Sequence, residues 1–172
     1  MKRFSEIADR ELTWAQPDRK KRVYQARADG EVVASIGWDK GSGSLAVAES
    51  ADGRWTLKRS GFLRPRITIR VAGADLDLAT FHASWDGGGR LELRNGRTFH
   101  WNNTNVLHTA WAWTGPSQTP LLRFKGKRMT IEAAGLAVPE LSLLALLSWY
   151  LNIVNNESDA GAIAVATVVS IA

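Results

Sequence analysis

The chain of 172 residues contains no cysteine. That excludes disulfides, thiolate catalysis, cysteine-ligated zinc or iron–sulfur centres and cysteine acylation. Histidine is scarce as well. The three present, His82, His100 and His108, lack the two-histidine-plus-carboxylate spacing of a cupin-type metal barrel, so no metal or cofactor is expected. There is no Gly-x-Ser-x-Gly elbow and no Gly-rich phosphate loop, and no residue stands out as catalytic; a non-enzymatic protein is expected. Long apolar runs are missing too. The most apolar stretch, Leu141 to Val154, is interrupted by Ser142, Ser148 and Asn152 and falls short of the roughly 20 residues of a bilayer crossing. The opening Met1-Lys2-Arg3-Phe4-Ser5-Glu6 has basic residues with no apolar run behind them, so no secretory signal is expected, and the absence of cysteine is compatible with a cytoplasmic location.

What is present fits one domain spanning residues 1–172: 45% apolar and 23% charged residues, close to globular averages. From residue 12 to residue 134 short alternating segments are broken at close intervals by turn residues, among them Asp29-Gly30, Asp52-Gly53, Asp86-Gly87 and Asn95-Gly96. The breaks predict about twelve strands in antiparallel meander order, near 12–15, 22–28, 31–38, 44–49, 54–59, 66–72, 76–83, 90–94, 97–102, 108–114, 121–125 and 128–133. Alternation assigns faces. In Arg66 to Val71, Ile67, Ile69 and Val71 take the buried side and Arg66, Thr68 and Arg70 the other.

The pattern changes after Pro139. Residues 139–154 predict a helix with proline and an acid at its start and large apolar side chains around its whole circumference, including Leu143, Leu144, Leu146, Leu147, Trp149 and Tyr150. Such a helix must be surrounded. Its ten large apolar side chains would contribute at most about 15–30 kcal/mol on burial, and the natural host is the inner face of the sheet. The fold class expected is therefore mainly β: a closed antiparallel barrel of about twelve strands enclosing a hydrophobic C-terminal helix. Asn155-Asn156-Glu157-Ser158-Asp159 reads as a polar break, and residues 157–172 could form either a strand or a helix. An open lumen would instead suit a small apolar ligand, as in lipocalin-like carriers, but a helix and a ligand cannot fill one lumen.

Basic residues are the remaining signal, in a chain of net charge +5. Between Gly53 and Ala74 lie Arg54, Lys58, Arg59, Arg64, Arg66 and Arg70 with no acid among them, and Lys125, Lys127 and Arg128 form a further concentration. Arginine's planar fork suits phosphate oxygens; the alternative is a solvated barrel exterior. Asp75-Leu76-Asp77 places two carboxylates on one strand face, with no partner apparent. Nucleic acid is not expected as a partner, because alternation commits the tryptophans inward.

A meander of about twelve strands followed by one wholly apolar helix resembles the Tubby C-terminal-like superfamily, which includes phospholipid scramblases and LURP-one-related proteins. The resemblance covers residues 12 to 154, with Leu141 to Val154 as the threaded helix and Gly53-Arg54-Trp55-Thr56-Leu57-Lys58-Arg59 and Gly61 to Arg70 similar in texture to the barrel hairpins. The palmitoylated cysteine cluster and proline-rich arm of scramblases are absent, so calcium-dependent scrambling is not implied. What the resemblance implies is a non-enzymatic module, peripheral at the membrane. Combined with the charge pattern, the expected partner is an anionic phospholipid surface, with headgroups bound by Lys58, Arg59, Arg64, Arg66, Arg70, Lys125, Lys127 and Arg128.

Overall fold

The computed structural model describes residues 1–38, 43–61 and 64–169, with side chains described as far as Glu157. A 3-10 turn, Phe4–Ile7, precedes twelve strands: β1 Leu12–Ala15, β2 Val23–Ala28, β3 Glu31–Trp38, β4 Leu45–Ser50, β5 Gly53–Ser60, β6 Arg66–Val71, β7 Asp77–Ala83, β8 Gly89–Leu93, β9 Thr98–Asn103, β10 Ala110–Thr114, β11 Pro120–Lys125 and β12 Arg128–Ile131. Two helices follow, α1 Ala133–Leu136 and α2 Leu141–Val169. Every strand pairs antiparallel with its sequence neighbours, and β1 pairs with β12 to close the barrel, Leu12 facing Met129 and Thr13 facing Arg128. Closure leaves no sheet edge unpaired.

The expected strands and the observed ones differ by a residue or two at their ends. Alternation explains why: in β5 and β6 the buried residues are Trp55, Leu57, Ile67 and Ile69, and the neighbours between them face out. Val71, assigned inward, is exposed where β6 runs out at the barrel's rim. Ala133, expected to extend β12, starts α1 instead. Asp29 and Gly30 both adopt positive φ, +49° and +82°, the left-handed pair that a two-residue hairpin requires. Gly41-Ser42-Gly43 reads as a further, looser turn, of which Gly41 and Ser42 lie outside the described residues.

The lumen is filled by α2, from which Leu141, Leu143, Leu144, Leu146, Leu147, Trp149, Tyr150 and Ile153 are all buried. One helical turn shows the enclosure directly. Ser148 accepts a hydrogen bond from Trp113 Nε1 on β10 at 2.9 Å; Trp149 stacks on Trp14 of β1 and packs against Tyr24 of β2 and Phe124 of β11; Tyr150 stacks on Trp38 of β3. These contacts reach the wall in several directions, so the helix is inside the cylinder. An open-lumen carrier has no free lumen here among the described residues. The wall itself is uneven: β2, β3 and β4 turn Ala26, Ala34, Ala46 and Ala48 inward, while β9, β10 and β11 supply Phe99, Trp101, Trp113 and Phe124. Small residues on one side and aromatics on the other set where the helix axis can lie.

Two expectations about the helix are corrected. It begins at Leu141 rather than Pro139, and it continues to Val169 rather than stopping at Val154. The polar run does not break it: Asn155, Asn156 and Glu157 are exposed because α2 leaves the barrel there, and Asn156 Nδ2 donates to Asn152 Oδ1 at 3.1 Å one turn back. Polar residues mark the departure from the lumen, not the end of the helix. Of the stretch 157–172, the backbone as far as Val169 is helical; 170–172 lie outside the described residues. No helix among the described residues is long and apolar enough to cross a membrane.

Because consecutive strands are antiparallel, their hairpin turns alternate between the barrel's two ends. α2 enters beside the β4–β5 and β8–β9 turns, where Ser142 donates to Asp52 and Arg97 pairs with Glu140 at 2.7 Å. It leaves at the opposite end, beside the β1–β2, β7–β8, β9–β10 and β11–β12 turns.

A candidate anion-binding groove beside the helix exit

Strand register builds a row of basic side chains on the barrel's outside. Arg66 of β6 stands opposite His82 of β7, His82 opposite Arg90 of β8, and Arg90 opposite His100 of β9. Side chains directly opposite one another on one face are neighbours. Where this row meets the exit end, Arg64, Arg66, His82 and Arg90 line a groove of about 730 Å³, with Pro65 and Ala83 as its floor and Trp85 at its lip. The Ala83 N–H donates to the Pro65 carbonyl at 3.2 Å, extending the β6–β7 pairing into the floor.

Two glycines shape the walls. Gly61 has φ +84°, and a Cβ there would come within 2.7 Å of the Arg64 carbonyl oxygen, so only glycine allows this close approach to the Arg64 backbone. At Gly89 a Cβ would meet the Phe81 ring at 2.3 Å and the His82 carbonyl at 2.5 Å; its absence lets β8 close on β7. In the turn between them, the Gly88 N–H donates to Asp86 Oδ1 at 3.1 Å, and Trp85 is 99% exposed.

The charges in the groove are only partly compensated. Arg90 pairs with Glu92, which also lies 3.5 Å from His82 Nε2. Arg66 Nε donates to Ser60 Oγ at 3.4 Å, a long contact with a neutral partner. Among the described residues, neither Arg64 nor Arg66 has an acidic partner. Two arginines with open forks can take phosphate or carboxylate oxygens in bidentate fashion.

The eight residues expected from sequence do not form one patch. Arg64 and Arg66 fall in the groove. Lys58 is exposed further along β5, opposite Thr68, and Arg70 is held by Asp77 at 2.6 Å, which accounts for one of the two carboxylates of the Asp75-Leu76-Asp77 pair. Arg59 lies on the lumen side, half-buried, bordering a separate cleft beside α2 with Trp85, Trp101 and Trp111. Its backbone bonds to the hydroxyl of Tyr150, whose pKa burial pushes up to about 12. Lys125 and Arg128 face one another across the β11–β12 hairpin with Lys127 in its turn, and four strands separate that hairpin from β5 and β6 either way round the barrel. Arg128 lies 3.5 Å from Glu11.

Sequence reasoning missed His82, Arg90 and Trp85 as members of the site. Each is visible as an outward or turn position, but their meeting with Arg66 depends on the register of three consecutive hairpins. The inward commitment of the tryptophans holds for Trp14, Trp38, Trp55, Trp101, Trp113 and Trp149; Trp111 is half-buried over Trp101, and Trp85 is out in solvent. Among the described residues no three or more histidines and carboxylates gather as a metal would require. Comparison of the chain with family models, with curated proteins and with solved structures finds no match.

Proposed function

We propose that this chain is a non-enzymatic, Tubby-like barrel that associates with anionic phospholipid headgroups, and that the groove of Arg64, Arg66, His82 and Arg90 is where a headgroup phosphate sits. The observation that carries this reading is a pair of arginines with no acidic partner among the described residues, in a groove bordered by a fully exposed tryptophan. Indole rings favour the headgroup level of a bilayer, where their apolar body and polar N–H are both accommodated. Val106 and Leu107, also exposed, stand in the β9–β10 turn at the same end. The exit end thus combines cations with apolar tips, and it would face the membrane. Lys58, Arg59, Lys125, Lys127 and Arg128 contribute the longer-range positive field rather than direct headgroup contacts.

Vesicle co-sedimentation tests this. Phosphatidylcholine vesicles containing an anionic lipid should retain the protein, and pure phosphatidylcholine vesicles should not. Arg64→Ala combined with Arg66→Ala should weaken binding roughly 30-fold, from about 1 kcal/mol per basic residue at the surface. Equal binding to neutral and anionic vesicles, or binding untouched by the double variant, would overturn the proposal.

A further inference from the structure

At the exit end the barrel wall turns polar and aromatic groups toward α2. Arg59 has the inward parity of Trp55 and Leu57 on β5 and is half-buried, yet it has no acidic partner among the described residues. Trp111 of β10 shares the parity of the buried Trp113 and lies parallel to Trp101 of β9, ring centroids 5.6 Å apart. One face of Trp111 is thereby covered, and the rest of that half-buried ring borders open space. From α2, Leu151, Asn152, Asn155 and Asn156 stand at i, i+1, i+4 and i+5, on one side of the helix. Wall and helix enclose a cleft of about 430 Å³, bounded by Trp85 and Asp86 of the β7–β8 turn and by His108 of the β9–β10 turn.

Side-chain hydrogen bonds fix both turns. Asn105 Oδ1 accepts from the backbone N–H groups of Thr109 at 2.9 Å and Ala110 at 3.0 Å, and the His108 ring lies 6.2 Å from that of Trp111. Asp86 gives Oδ1 to the Gly88 N–H and keeps Oδ2 unbonded among the described residues. On α2 the Asn156 Nδ2 donates to Asn152 Oδ1, which leaves Asn152 Nδ2, Asn156 Oδ1 and the whole Asn155 amide without partners among the described residues. The cleft therefore offers donors on Arg59 and the amides, acceptors on Asp86 and the amides, and apolar surface on the indole and Leu151. A simple anion would meet the Asp86 carboxylate, a simple cation would meet Arg59, and a hydrocarbon would strand the amides. A neutral ring bearing several hydroxyls engages both kinds of polar group at once and lays its C–H side on an indole.

We infer that this cleft binds a neutral pyranose sugar, its hydroxyls held by Arg59, Asp86 and the three asparagines and its ring packed on Trp111. Neither its residues nor its chemistry depends on the headgroup reading of the arginine groove, although Trp85 borders both openings. A free sugar and the sugar of an uncharged glycolipid share this chemistry. The folded chain is titrated with the methyl glycosides of glucose, galactose and mannose while its indole N–H resonances are followed by 1H–15N NMR. The Trp111 signal should shift and saturate with at least one of them, while that of Trp55, near the entry end of β5, stays in place. Trp111→Leu should weaken that binding about tenfold. Asn155→Ala, at an exposed helix position where folding is unaffected, should weaken it about three- to fivefold and leave retention on anionic vesicles unchanged, so that failure of this site and failure of the headgroup reading can be told apart. Phosphatidylcholine vesicles carrying the diacylglycerol glycoside of the sugar that binds distinguish the sources. Retention that plain phosphatidylcholine lacks and the free glycoside displaces assigns the sugar to a lipid; glycoside binding without retention assigns it to solution. The sugar site is overturned if no glycoside saturates, if all indole signals shift alike, if either variant binds as the unaltered protein does, or if adenine, a flat heterocycle, binds more tightly than every glycoside.

Discussion

The two ends of this barrel are built on opposite principles. Where α2 enters, the rim is tied down by polar contacts around a cleft of about 270 Å³: Phe4 and Ile7 of the 3-10 turn are wholly buried, Arg3 lies 3.3 Å from Asp52, Ser142 donates to Asp52, and the nearly buried Glu140 pairs with Arg97. Where α2 leaves, the rim is open. Among the described residues two buried indoles, Trp14 and Trp149, lack acceptors, and Trp85, Val106 and Leu107 project into solvent. Besides the aromatic stacking, α2 is tied to the wall there by a partly exposed ion pair, Arg22 holding Glu157 while its guanidinium lies 4.0 Å over the Trp38 ring. Polar fastenings of α2 gather at the entry end, while exposed apolar residues occur at both, Leu76 and Leu136 at the entry and Trp85, Val106 and Leu107 at the exit.

Four measurements can break or sharpen the contrast. Phe4→Ala should cost the most, about 3–5 kcal/mol in urea unfolding, because it opens a cavity where the wild-type ring is wholly buried. Alkaline pH probes the exit end. Tyr150 is protonated in the folded state up to about 12, whereas in the unfolded chain it ionises near the ordinary tyrosine value of about 10. Between those values the folded state binds the extra proton, so stability should fall as pH rises through that window, by about 2–3 kcal/mol in all, and level off above it. Tyr150→Phe should abolish the late phase of tyrosinate absorbance.

The ion pairs allow a matched test. Arg97→Ala strands the Glu140 carboxylate, only 12% exposed, and should cost about 1–3 kcal/mol. Glu157→Ala, at the exit, should cost under about 1 kcal/mol. Equal losses would mean that the two rims are fastened alike. Trp85→Ala should be smallest, within about 0.5 kcal/mol, since that ring touches little in the free protein. If it destabilises the fold substantially, Trp85 belongs to the structure and not to a contact surface.

Much of this architecture can be read from local pattern, because a barrel of short hairpins repeats one rule: alternate residues inward, turn residues between. Ile67, Ile69, Leu91 and Leu93 obey it without reference to anything distant. The apolar circumference of residues 141–154 likewise demands enclosure. What local pattern does not convey is juxtaposition. Arg66, His82 and Arg90 come together through register across strands separated by turns of different length, and one irregularity between Ile69 and Arg70 is enough to shift a partner. The unsatisfied Trp14 and Trp149 donors are still further from sequence, since a tryptophan's hydrogen-bond partner depends on what lies a few ångströms away in three dimensions. The polar run at Asn155 to Glu157 was misleading for a different reason: solvent exposure and helix termination select the same residue types.

The order of elements along the chain has one more consequence. The helix that fills the cylinder follows all twelve strands, so during vectorial synthesis from the ribosome, at about 5–20 residues per second, the staves must wait for their axle. A nascent sheet displaying Phe81, Phe99, Trp101 and Phe124 without it is sticky. Such a nascent sheet should be prone to aggregate until α2 emerges, and deleting residues 139–172 should shift expressed protein into inclusion bodies.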